Sequence, residues 1–199
     1  MADGDGKRWN NYMGIPKHLI PIDGEPLIAR TVRLLKEIGI KNIIITSKDE
    51  RYNFAQRLPQ TTRDCEIDRF EETITTEKVC FLYGDVAYTK NALKIIKDTE
   101  PKDVLFFGHE WEIFGIKIND WRLFKIHKDK IKNKYLNGEI NRCIGWEIYR
   151  SMNDILLNEH RITKRYIKIL DGTDDIDYPY EYEEFKQRWE KTTNGNNEI

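Results

Sequence analysis

Two short apolar runs, Ile43-Ile44-Ile45 and Val79-Cys80-Phe81-Leu82-Tyr83, constrain the fold most, because each is set between stretches of helical periodicity. Runs this short and continuous suit strands buried on both faces, which occur where helices cover a sheet on either side. Ahead of the first run, Leu27, Ile28, Val32, Leu35 and Ile38 recur at helical spacing, and Gly39 stands where a left-handed turn would end that helix. After the second, Thr89 is placed to cap a helix carrying Ala92, Leu93 and Ile96. The alternation predicts an α/β chain with a mainly parallel sheet, whose ligands bind outside the carboxyl ends of the strands.

The remaining segments extend this pattern. Tyr52, Ala55 and Leu58 fit one helical face that stops before Pro59, and residues 60–78 read as loop with a short strand near Cys65 to Ile67. Val104 to Phe107, Phe114 to Ile118 and Arg165 to Leu170 read as strands. Asp120 to Leu136 reads as a helix closed near Gly138, and Trp146, Tyr149, Met152 and Ile155 as the apolar face of another. A closing helix starts at Pro179 with Tyr182, Phe185 and Trp189 on its inner face. The polar residues 192–199 read as a flexible tail, which leaves a single domain over residues 1–191.

With 33 Lys+Arg against 34 Asp+Glu, the chain has no bulk charge to draw it to nucleic acid or to a membrane surface. No apolar run approaches the roughly 20 residues that a membrane helix needs, so a cytoplasmic protein without a membrane partner is the expectation. Cys65, Cys80 and Cys143 are odd in number and widely spaced, which argues against a disulfide framework and a zinc site. The four histidines have no metal-ligand spacing.

Chemistry is concentrated at three places. Gly4 and Gly6 allow a tight turn with exposed backbone N–H groups, and Arg8 and Lys17 follow them, a composition suited to holding phosphate. Asp85 ends the second apolar strand. Asp174, Asp175 and Asp177 cluster ahead of the last helix. Magnesium takes one or two carboxylates together with phosphate oxygens and water, and Asp85 with an acid of the later cluster has that composition.

Taken in order, Ala2-Asp3-Gly4-Asp5-Gly6-Lys7-Arg8, Pro16-Lys17-His18-Leu19, Gly24-Glu25-Pro26-Leu27, Thr31-Val32, Tyr83-Gly84-Asp85-Val86 and Asp175-Ile176-Asp177-Tyr178-Pro179 resemble the signature of the nucleotidyltransferases that make activated sugars and alcohols. The resemblance implies a Rossmann-like (GT-A-like) three-layer α/β fold. It also implies Mg²⁺-dependent transfer of NMP from an NTP to a sugar phosphate or small phosphorylated alcohol, with release of pyrophosphate. Carried over by position, Ala2, Asp3, Gly4, Gly6 and Arg8 belong to the nucleotide-binding loop. Arg8 and Lys17 would stabilise charge during transfer, and Asp85 and Asp177 would hold the metal with Asp175 beside them. The acceptor's own phosphate is then the nucleophile.

Two features depart from the resemblance. Only Met1 and Ala2 precede Asp3, so the buried strand expected before the loop is missing or truncated. Either the chain starts downstream of its natural start or the sheet is built without that strand. The region before Val79 also lacks the segment with which many relatives contact the base, which leaves the base open. Other readings remain beside the main one: Asp85 as a turn cap and the later acids as a solvated loop. Trp146, at helical spacing from Tyr149, reads as a core residue, with a place beside Glu147 in an acceptor pocket as the alternative. At the level of function the alternatives are a GT-A-type glycosyltransferase using an NDP-sugar and a non-catalytic nucleotide-binding module.

Overall fold

The computed structural model describes residues 1–2, 4, 6–59, 63–70 and 78–195, with side chains through 189. A small hairpin of β1 (Pro21–Ile22) and β2 (Glu25–Pro26) leads into α1 (Leu27–Glu37). Gly39 follows that helix at φ 88°, the left-handed turn its position predicts. Next, β3 (Ile44–Thr46) pairs in parallel with β4 (Gln56–Leu58). The chain continues through β5 (Val79–Leu82), β6 (Val86–Ala87), α2 (Lys90–Asp98), β7 (Val104–Gly108) and β8 (Ile113–Ile118). It closes with α3 (Trp121–Leu136), α4 (Gly145–Met152), β9 (Tyr166–Lys168), β10 (Asp174–Asp175) and α5 (Pro179–Gly195). The last helix therefore reaches into the segment read as a tail.

The larger sheet has the order β5-β8-β7-β9 and is mixed: β8 runs antiparallel to β5 and β7, and β9 runs parallel to β7. Its two faces are covered separately, as the alternation of side chains along a strand requires. Phe106 packs with Phe124 and Ile131 of α3 and with Ile148 and Tyr149 of α4, while its neighbour Phe107 packs with Leu34 of α1 and Leu93 and Ile96 of α2. Helices on both faces give the three layers. Thr89 caps α2 by accepting from the Ala92 N–H at 2.9 Å, as its sequence position predicts.

Two expected elements are replaced. The helical face drawn through Tyr52 and Leu58 is absent because residues 56–58 find backbone partners in β3, a pairing that local periodicity does not register. The strand near Cys65 is a 3-10 turn over Glu66–Phe70, tightened by the Asp68 carboxylate, which accepts the N–H of Asp64 at 3.0 Å.

Between β3 and β5, Met1 and Ala2 supply the only backbone bridge among the described residues. The Ala2 N–H donates to Thr46 of β3 at 3.0 Å, and the Gly84 N–H donates to the Met1 carbonyl at 2.7 Å. The place of the expected first strand is thus marked by two residues joining β3 to the end of β5. Gly84 is required there, since a Cβ at this position would run into the Met1 carbonyl.

Candidate active site

The opening loop is held by its downstream end. Trp9 is 1% exposed, packed against Ile20, Leu27, Tyr182 and Phe185, and its indole N–H donates to the Ile15 carbonyl at 2.8 Å. Gly6 lies at φ 61°, and its carbonyl accepts from the Trp9 and Asn10 N–H groups, so the loop turns sharply where glycine makes a left-handed backbone easy. Nothing in the spacing of glycines and cations marks Trp9 as the anchor. Ala2 is buried with its N–H committed to β3, and Asp3 lies outside the described residues.

Lys17 reaches the same place from a 3-10 turn over Lys17–Leu19 that follows Pro16. Its ammonium lies 2.5 Å from Asp85 Oδ2 and 2.6 Å from Asp177 Oδ1, and the Arg8 guanidinium pairs with the other oxygen of Asp177. The two acids are 92 positions apart, and a two-residue ladder brings them together: β6 pairs antiparallel with β10, and the Ile176 N–H donates to the Asp85 carbonyl at 3.0 Å. Four residues singled out in four separate motifs therefore converge.

The charges are strongly coupled. Burial opposes the Lys17 charge, but Asp85 and Asp177 outweigh it and hold the ammonium above its ordinary pKa. Burial likewise favours the neutral form of Asp85, yet Lys17 holds that carboxyl down at about 2. At Asp175 burial, then Glu112, Asp177, Asp85 and Asp174, push the carboxyl up to about 8. Two carboxylates meeting at one cation, with a third crowded beside them, form a donor set suited to a divalent ion bound through oxygen.

A second group lies nearby. His109, Glu112 and Asp174 present ligand atoms within 4.8 Å of one another. Hydrogen bonding to Asp174 and Glu112 raises the His109 pKa to about 9, and its Nδ1 accepts the Trp111 N–H at 3.1 Å, so both ring nitrogens are already engaged. Residue spacing gave no sign of this triad.

Two cavities share the Gly4–Gly6 loop, Trp9 and Lys17 as a common wall. The smaller, of about 280 Å³, lies past the carboxyl end of β3 and is lined by Ser47, Asp49, Arg51 and Tyr52. The larger, of about 460 Å³, holds Asp85, Asp175 and Asp177, and its far wall carries Glu66, Arg69, Tyr83, Trp111, Arg142 and Trp146. Tyr83 belongs to the Asp85 motif, whereas Glu66 and Arg69 come from the turn after Cys65, Trp111 from the β7–β8 connection, and Arg142 and Trp146 from the entry and first turn of α4, which no contiguous motif marks. Among the described residues, the buried Nε of Arg69 has no hydrogen-bond partner.

Comparison with known proteins gives the same direction. The profile of the MobA-like NTP transferase domain matches residues 1–94, which contain the glycine loop, Lys17 and Asp85. The structure of CTP:phosphocholine cytidylyltransferase from Streptococcus pneumoniae superposes with a TM-score of 0.56 at 15% identity, covering 94% of this chain and 95% of that one. The chain resembles the nucleotidyltransferases in sequence and in fold. No curated protein sequence matches it significantly. Among the described residues, no helix is long and apolar enough to cross a membrane.

Proposed function

We propose that the chain is a magnesium-dependent nucleotidyltransferase that moves NMP from an NTP to a small phosphorylated acceptor and releases pyrophosphate. The observation that carries this reading is the position of Lys17, joined to Asp85 and Asp177 at the wall between two cavities. The smaller cavity would take the nucleoside, the larger the acceptor, and the triphosphate would cross the loop between them.

In this arrangement the residues work by exchange. Arg8 and Lys17 are paired to carboxylates. With the triphosphate in place these cations would pair with its oxygens, and Asp85 and Asp177 would hold the magnesium ion. When bound, the ion would neutralise phosphate charge at the reacting centre. An oxygen of the acceptor phosphate attacks the α-phosphorus and the bond to pyrophosphate breaks. Lys17 stabilises the charge that develops during transfer, and no Ser or Cys nucleophile is required.

The far wall favours a phosphorylated alcohol with a cationic head over a sugar phosphate. Trp111, Trp146 and Tyr83 present aromatic surface there, with the carboxylates of Glu66 and Glu112 close by. The reaction named for the S. pneumoniae relative, CTP with phosphocholine, is of this kind.

Pyrophosphate release from each of the four NTPs, with and without Mg²⁺, tests the reading against phosphocholine, phosphoethanolamine and hexose 1-phosphates. Lys17→Met and Asp85→Asn should each lower the rate by about two to three orders of magnitude. Turnover of an NDP-sugar without pyrophosphate release would support a glycosyltransferase instead. NTP binding without turnover would support a binding module.

A further inference from the structure

The Sγ atoms of Cys65 and Cys143, 78 positions apart in the chain, lie 2.8 Å from each other. Both thiols are free, Cys65 partly exposed and Cys143 buried. Cys65 directly precedes the turn that carries Glu66 and Arg69, and Cys143 lies between Arg142 and Ile144 at the entry to α4. All four of these neighbours line the larger cavity. Wide sequence spacing argued against a disulfide, but the packing of the 3-10 turn against the α4 entry overrides it.

We propose that Cys65 and Cys143 form a reversible disulfide that ties the two parts of the far wall together. The inference is independent of the proposed reaction, since neither sulfur belongs to the phosphate-handling site. The oxidant is a low-molecular-weight disulfide of the glutathione class. Cys65, the accessible thiol, loses its proton to solvent and attacks one sulfur of glutathione disulfide, releasing one glutathione thiolate. Cys143 then loses its proton and attacks the Cys65 sulfur of the mixed disulfide, forming the internal bond and releasing the second glutathione. Two protein thiols are oxidised and one small disulfide is reduced to two thiols. Burial raises the Cys65 pKa, so the first step quickens at mildly alkaline pH.

Closing a loop this long restricts the unfolded chain and should raise the melting midpoint on the order of 5–10 °C. The test treats the full chain with excess glutathione disulfide, alkylates remaining thiols, and reads intact mass, a non-reducing peptide map and the melting midpoint. The expected result before alkylation is a chain lighter by about two mass units than the reduced form. The map should show one cross-linked pair, Cys65 with Cys143, with Cys80 alkylated, and dithiothreitol should reverse both the bond and the melting shift. Cys143→Ser should stop at a glutathione adduct on Cys65, and Cys80→Ser should behave as the unsubstituted chain does. A persistent adduct in the unsubstituted chain with no internal bond, or a bond that includes Cys80, overturns the proposal. If Cys143→Ser does not fold, the map of the unsubstituted chain decides alone.

Discussion

Lys17 and His18 are neighbours in one 3-10 turn, yet their surroundings drive them to opposite charge states. Lys17 points at two carboxylates and keeps its proton. His18 is 4% exposed, with Nδ1 at 3.1 Å from the Tyr52 hydroxyl, and burial lowers its pKa to about 3. Because the folded pKa lies below the ordinary value of 6.5, the unfolded chain takes up the proton first as pH falls. The stability that depends on neutral His18 is therefore complete above pH 6.5 and is lost progressively toward pH 3. Between pH 7 and pH 5 this one group should lower unfolding free energy by about 2 kcal/mol. Urea melts at the two pH values check it. His18→Gln, which cannot titrate, should flatten the pH dependence, and an unchanged slope would show that another group is responsible.

The connection between Met1–Ala2, β3 and β5 sets the position of Asp85 one residue after Gly84. Gly84→Ala would force a Cβ against the Met1 carbonyl, a backbone atom that has no rotamer with which to yield. The expected loss is about 1–3 kcal/mol of stability, read from a denaturant melt. Activity should fall by more than that loss explains, because Asp85 moves relative to Lys17. An Ala variant with native stability and rate would show that this contact is not maintained in solution. At this scale the sequence was legible where information is local. α1, α2 and α3 follow from their apolar spacing and caps, and β5 from a continuous apolar run. β4 was not legible, since Gln56-Arg57-Leu58 has no strand pattern and is made a strand by β3. The site divides in the same way. Arg8, Lys17, Asp85 and Asp177 sit in contiguous motifs, whereas Glu66, Arg69, Trp111 and Arg142 reach the cavity only through the packing of distant segments.

Across the whole molecule, the pairing of Arg8 and Lys17 with acids predicts the order in which substrates bind. A phosphorylated acceptor arriving alone would meet Asp85, Asp177 and Glu112 in the larger cavity with the two nearest cations already committed to carboxylates. Its phosphate gains little from such a wall. On the proposed reading, a triphosphate brought in with Mg²⁺ would change both sides of that balance, since its oxygens would engage the cations and Asp85 and Asp177 would hold the ion. NTP with Mg²⁺ should therefore raise the melting midpoint on its own, and a ligand at a hundredfold excess over its Kd contributes about 2.7 kcal/mol, or roughly 5–10 °C for a chain of this size. Phosphocholine alone should give no shift, and should add one when a non-hydrolysable NTP analogue and Mg²⁺ are present. Initial-rate kinetics should then show ordered addition with NTP first. A full shift from the acceptor alone would mean that its phosphate is held by cations independent of the acids, with Arg69 and Arg142 of the far wall as the groups to substitute next.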